Sequence, residues 1–129
     1  MPRRASIHDK RDANQAAIVT ECRQRGIEVI EIGMPVDLIV VRGRFVGFVE
    51  IKVPGNKASI QQSQVAFMAM TAAPVAFAES ADDILRFINT GIGISQSQKN
   101  TLAGLLYTNP HKRAFTKKQV AEVIGKGDR

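Results

Sequence analysis

Between Lys10 and Arg25 the chain carries a helical period. Gln15, Ile18, Val19, Cys22 and Gly26 fall on the i, i+3, i+4, i+7 stripe that a helix turns toward a core. Asp9 or Asp12 can cap this helix, and Gly26 ends it. The period then drops to two. "IEVIEI" alternates apolar and acidic residues, as a half-exposed strand does, until Gly33-Met34-Pro35 breaks it. Two apolar runs, residues 36–41 and 45–53, flank Arg42-Gly43-Arg44 and predict a β-hairpin. "PGNK" marks a loop, after which Ser59 is placed to cap a second helix, with Gln62 completing a capping box. This helix extends to about Met70. "PVAFA" predicts a strand, and "SADDILRFI" a third helix, capped by Ser80 and turning Ile84, Leu85 and Ile88 inward.

The predicted order is thus α-β-β-β-α-β-α, ending near Asn89. After the linker "TGIGIS", the segments "QSQKNTLAGLLY" and "TKKQVAEVIGK" predict two short amphipathic helices. They are too small to hold a core alone, so they pack on the main body or on a partner. The chain divides on this reading into a core, residues 1–90, and a basic helical C-terminal extension, residues 91–129.

Length and composition narrow the class. A chain of 129 residues, 44% hydrophobic and 23% charged, suits one soluble domain. The longest near-apolar stretch, residues 65–78, is interrupted by Thr71 and Pro74 and is too short for a membrane span of about 20 residues. "MPRRASIHDK" lacks the apolar centre of a secretory signal. A single cysteine, Cys22, allows no intrachain disulfide and suits a core position. A cytoplasmic, non-membrane protein is the expectation.

The net charge of +6 is unevenly spread. Residues 1–26 carry six basic against three acidic side chains, residues 27–90 five against seven, and residues 91–129 seven against two. Basic ends around an acidic centre suit a polyanion, because each neutralised phosphate releases counterions; a solvated surface suits them equally.

The acidic centre includes the hairpin. If Gly43 and Arg44 form a two-residue turn, Arg42 faces Phe45 and Asp37 falls opposite Glu50, with Lys52 on the same face. Facing carboxylates repel, and a cation between them relieves the repulsion. Mg²⁺ takes oxygen ligands and keeps waters for chemistry. A simple pairing of a lysine with carboxylates at a strand end fits the same spacing. Elsewhere, His8 and His111 lack metal-ligand spacing, and "GIGIS" lacks the lysine of a phosphate loop.

The run "PVDLIVV…FVEIK" resembles the core motif of the PD-(D/E)XK nuclease superfamily, in which an Asp opens one hairpin strand and Glu-X-Lys closes the next. Residues 10–90 are most similar in pattern to the small VRR-NUC-type and phage Holliday-junction-resolvase-like members. The resemblance implies a restriction-endonuclease-like α/β core and a Mg²⁺-dependent DNA endonuclease, with Mn²⁺ as a substitute ion. Branched, flap or junction DNA is among its expected substrates. By position, Asp37, Glu50 and the Ile51 carbonyl are implied as metal ligands and Lys52 as the catalytic lysine. Gln64 is the first choice for a glutamine near the site, ahead of Gln61 and Gln62. The family's first-helix glutamate is matched here by Gln15, which brings no charge. A catalytically weakened module that binds DNA or a protein is therefore the alternative. Arg42, Arg44, Lys57, Lys112, Arg113, Lys117 and Lys118 are the expected phosphate contacts, and the apolar faces of the C-terminal helices the expected surface of a homodimer.

Overall fold

The computed structural model describes residues 7–51, 59–120 and 122, with side chains from residue 14 onward. Helix α1 (Ile7–Gln24) leads into β1 (Glu28–Glu31), β2 (Leu38–Arg42) and β3 (Phe45–Ile51). Then come β4 (Ser59–Gln61), α2 (Gln62–Met70), β5 (Val75–Ala78), α3 (Ala81–Thr90), α4 (Gln96–Thr108) and β6 (Ala114–Thr116), and residues 117–120 are helical. The main sheet has the order β1-β2-β3-β5, antiparallel across its first three strands and parallel between β3 and β5. The protein is mixed α/β.

The hairpin follows from its turn. Gly43 has φ +61°, a conformation that side chains resist and that a tight two-residue turn requires. Arg42 consequently pairs with Phe45, and the register continues to Leu38 opposite Val49. Alternation then sorts the side chains. Leu38, Val40, Val49 and Ile51 join Ile18, Val19 and Cys22 of α1 and Ile84, Phe87 and Ile88 of α3 in one buried cluster. Phe48 points to the other face, where its ring meets Phe67 of α2 edge-on at 5.0 Å.

That second face is covered by α2 and α4. Val65 and Met68 of α2, Leu102 of α4, Phe115 of β6 and Val120 form one cluster with Val36, Ile60 and Val75. The C-terminal segment therefore packs on the main body, the first of the two placements the sequence allowed. The buried face of α4 is used within the chain, so it is not a free surface for a second copy. Lys99, on the first turn of α4 and 8% exposed, donates to the carbonyl oxygens of Thr71 (2.6 Å) and Ala73 (3.4 Å) just past the end of α2.

One expectation is corrected here. Ser59 does not cap a helix: residues 59–61 form β4, paired antiparallel with β6 at Ser59↔Thr116, Ile60↔Phe115 and Gln61↔Ala114. The cap moves two residues on, to Gln61, whose side chain and that of Gln64 form the capping box instead. By contrast, Ser80 caps α3 as the sequence indicates, its Oγ accepting the Asp83 N–H at 3.2 Å.

A buried cation site at the open end of the hairpin

Asp37 immediately precedes β2, one register step beyond Leu38↔Val49, and so falls against Glu50. Its backbone is fixed on both sides. The carbonyl accepts N–H bonds from Ile32 (3.0 Å) and Gly33 (3.3 Å), closing the loop that contains the cis Met34–Pro35 bond. The N–H donates to Glu50 Oε1 at 3.2 Å. Its carboxylate is held as well, since Oδ2 accepts the Ile51 N–H at 2.7 Å. Glu50 and Asp37 are 1% and 7% exposed. Glu50 alternates with the core residues Val49 and Ile51, so it turns to the α2 side of the sheet.

A cation already lies between these groups. Lys117 Nζ is 2.6 Å from the Ile51 carbonyl oxygen, 2.9 Å from Glu50 Oε2 and 3.4 Å from Asp37 Oδ2. The lysine is 3% exposed, which is tolerable for an ammonium only because all three of its donors find oxygen. The charges do not balance, however. Two carboxylates face one ammonium among the described residues. Burial above all, and then the Asp37 carboxylate, push Glu50 from 4.5 up to about 7, against the pull of Lys117.

A cavity of about 180 Å³ adjoins the cluster, lined by Gly33, Met34, Ser59, Gln61 and Gln64 together with Asp37, Glu50 and Lys117. Gln64 thus stands at the site, 8% exposed, with its Oε1 held by the Gln61 N–H at 2.9 Å. Gln61 shares the wall, whereas Gln62 turns toward the Pro110 carbonyl. Gln15 is not brought in. It lies on the α1 side of the sheet and donates to Glu31 Oε1 at 3.1 Å. Lys52 and Lys57 lie outside the described residues.

The remaining basic residues divide. Arg42 and Arg44 are exposed at the hairpin turn, and Lys112, Arg113 and Lys118 are exposed near β6. Lys112 also sits over the Phe115 ring at 5.2 Å. Lys117 does not belong with this surface set: it is buried against Asp37 and Glu50. The sequence hid this role because β6 was not expected. β6 turns Phe115 inward, and Lys117, the first residue of the helical turn that follows it, is buried as well.

The oxygen set suits a hard cation: two carboxylates and one main-chain carbonyl, pointing at one spot that an ammonium occupies. Among the described residues no cluster of three or more His, Cys, Asp or Glu side chains could hold a metal ion. No described helix is long and apolar enough to cross a membrane. Comparison with protein-family models, curated proteins and solved structures finds no match, so the site rests on its own geometry.

Proposed function

We propose that the protein is a metal-dependent endonuclease that hydrolyses DNA phosphodiester bonds, with branched, flap or junction DNA among its substrates. The observation that carries this reading is the convergence of Asp37, Glu50 and the Ile51 carbonyl on a single cation position beside a polar cavity. The residues fit a divalent ion. Among the described residues one ammonium faces two buried carboxylates, and a divalent ion would match the charge of the pair once both are ionised. When bound, such an ion polarises a phosphoryl oxygen and makes water a better nucleophile.

The chain does the rest. The Ile51 N–H aims the Asp37 carboxylate, and the Asp37 N–H aims Glu50. Gln64 lines the cavity with its Oε1 accepting the Gln61 N–H, and its amide N–H₂ would donate to a phosphate oxygen or a water. Exposed Arg113 and Lys118 would hold the DNA backbone without reading its sequence. Lys52, the catalytic lysine that the sequence resemblance implies, follows Ile51 directly.

A second reading is a nuclease-like module that binds DNA without cutting it. Lys117 in the cation position favours it, because a permanently seated ammonium would exclude the ion. Labelled linear, flap and four-way-junction DNA, incubated with Mg²⁺, Mn²⁺ or EDTA, separates the two. Metal-dependent cutting that Asp37→Ala and Lys52→Ala both abolish is the expected result. Salt-sensitive binding with no cutting in either metal contradicts the nuclease and selects the module.

A further inference from the structure

The cation position between Asp37 and Glu50 is filled by the chain itself. Lys117 Nζ makes three contacts there, at 2.6, 2.9 and 3.4 Å, and is shielded from solvent. A Mg²⁺ ion would sit about 2.0–2.1 Å from the same oxygens. Ammonium and ion cannot share that point, and their like charges oppose any close compromise.

The surroundings leave the ammonium a way out. Its backbone is held on both sides, by Phe115 in the β4–β6 pair and by fully buried Val120. The side chain has a flexible four-carbon stem, however, and Lys117 itself lines the cavity of about 180 Å³ together with Asp37 and Glu50. Ser59, Gln61 and Gln64 on its wall offer polar partners to a displaced ammonium. Leaving the oxygen set therefore requires a side-chain swing and no unfolding of β6.

We propose that Lys117 is a displaceable internal counter-ion, which fills the Asp37–Glu50–Ile51 oxygen set in the resting protein and is driven into the adjoining cavity when a divalent cation enters. This rests on the reading of that set as a metal site. The resting site is self-blocked, and its apparent metal affinity is lowered by the fraction of molecules in which Lys117 is in place.

The test is calorimetric titration of Mn²⁺ into wild type, Lys117→Met and Asp37→Ala, in the absence of DNA. Lys117→Met is expected to bind roughly tenfold tighter than wild type or better, since no blocked fraction remains, and Asp37→Ala to lose binding. Equal or weaker binding by folded Lys117→Met, with wild-type binding still dependent on Asp37, overturns the displacement and leaves the metal site standing. No saturable binding by either wild type or Lys117→Met overturns both.

Lys117→Met strips two buried carboxylates of their partner, so a second measurement uses wild type alone. A small amine-acylating reagent, followed by mass spectrometry, reports each lysine's access. Lys117 is expected to be protected in EDTA and to react roughly tenfold faster at saturating Mn²⁺, with exposed Lys118 unchanged. Protection that persists at saturating metal overturns the proposal.

Discussion

Glu50 carries the electrostatic strain of the site. Its carboxyl is raised from 4.5 to about 7, chiefly by burial and then by Asp37, with Lys117 opposing. The folded protein therefore holds this proton more tightly than the unfolded chain. Stability from this group is complete below about pH 4.5, falls as pH rises, and is gone above about pH 7. A shift of this size amounts to about 3 kcal/mol. Denaturant unfolding in EDTA should show wild type losing stability across that window, while Glu50→Gln, which cannot ionise, stays nearly level. A wild-type profile as flat as that of Glu50→Gln would contradict the assignment. Asp37 and Glu50 were legible in the sequence because a two-residue turn fixes the register, and period-two alternation then fixes the face. Lys117 was not legible. It reaches Asp37 across 80 residues and Ile51 across 66, and it sits beside an exposed Lys118 that local pattern cannot tell from it.

Among the elements, local signals held for α1 and α3, whereas the Ser59 capping signal gave way to the pairing of β4 with β6. Gly26 closes α1, its N–H donating to the Arg23 carbonyl, and the Ser80 cap and apolar stripe of α3 mark its start and its buried face in the sequence. Phe87 nevertheless joins its buried face beside the expected Ile84 and Ile88, with Leu85 only half-buried. β4 and β6 behave differently. Each has three residues, and neither shows a period long enough to read; each exists because the other pairs with it. The segment after α3 is similarly set by a non-local contact. The Ile94 N–H donates to the Val75 carbonyl at 2.7 Å, and a Cβ on the preceding Gly93 would lie 2.1 Å from that same oxygen. Gly93→Ala must push this strand edge apart and is expected to destabilise the fold by about 2 kcal/mol, within the range for overpacking. Thermal unfolding reads this directly; an unchanged midpoint would mean that the segment does not lie against β5.

Over the whole molecule, the two faces of the sheet have different duties. The α1–α3 side carries an apolar cluster built from α1, α3 and the inward residues of the sheet. The α2–α4 side carries a second apolar cluster and, at its margin, the carboxylate pair, the cavity and the lysine supplied by the C-terminal segment. The sequence marked the boundary near residue 90 by a change in charge, yet packing runs across it: Leu102, Phe115 and Val120 complete a core begun by Val36 and Val65. Composition records charge locally, whereas a core is assembled from distant segments, and so the segment that fills the site was read as an appendage. The proposed function requires that this site take a divalent cation. Crystals grown with Mn²⁺, with diffraction recorded where manganese scatters anomalously, test it most directly. A peak is expected within bonding distance of Asp37, Glu50 and the Ile51 carbonyl oxygen, with the Lys117 ammonium displaced from them. Lys117 still seated among those oxygens at saturating Mn²⁺, with no peak there, would contradict it.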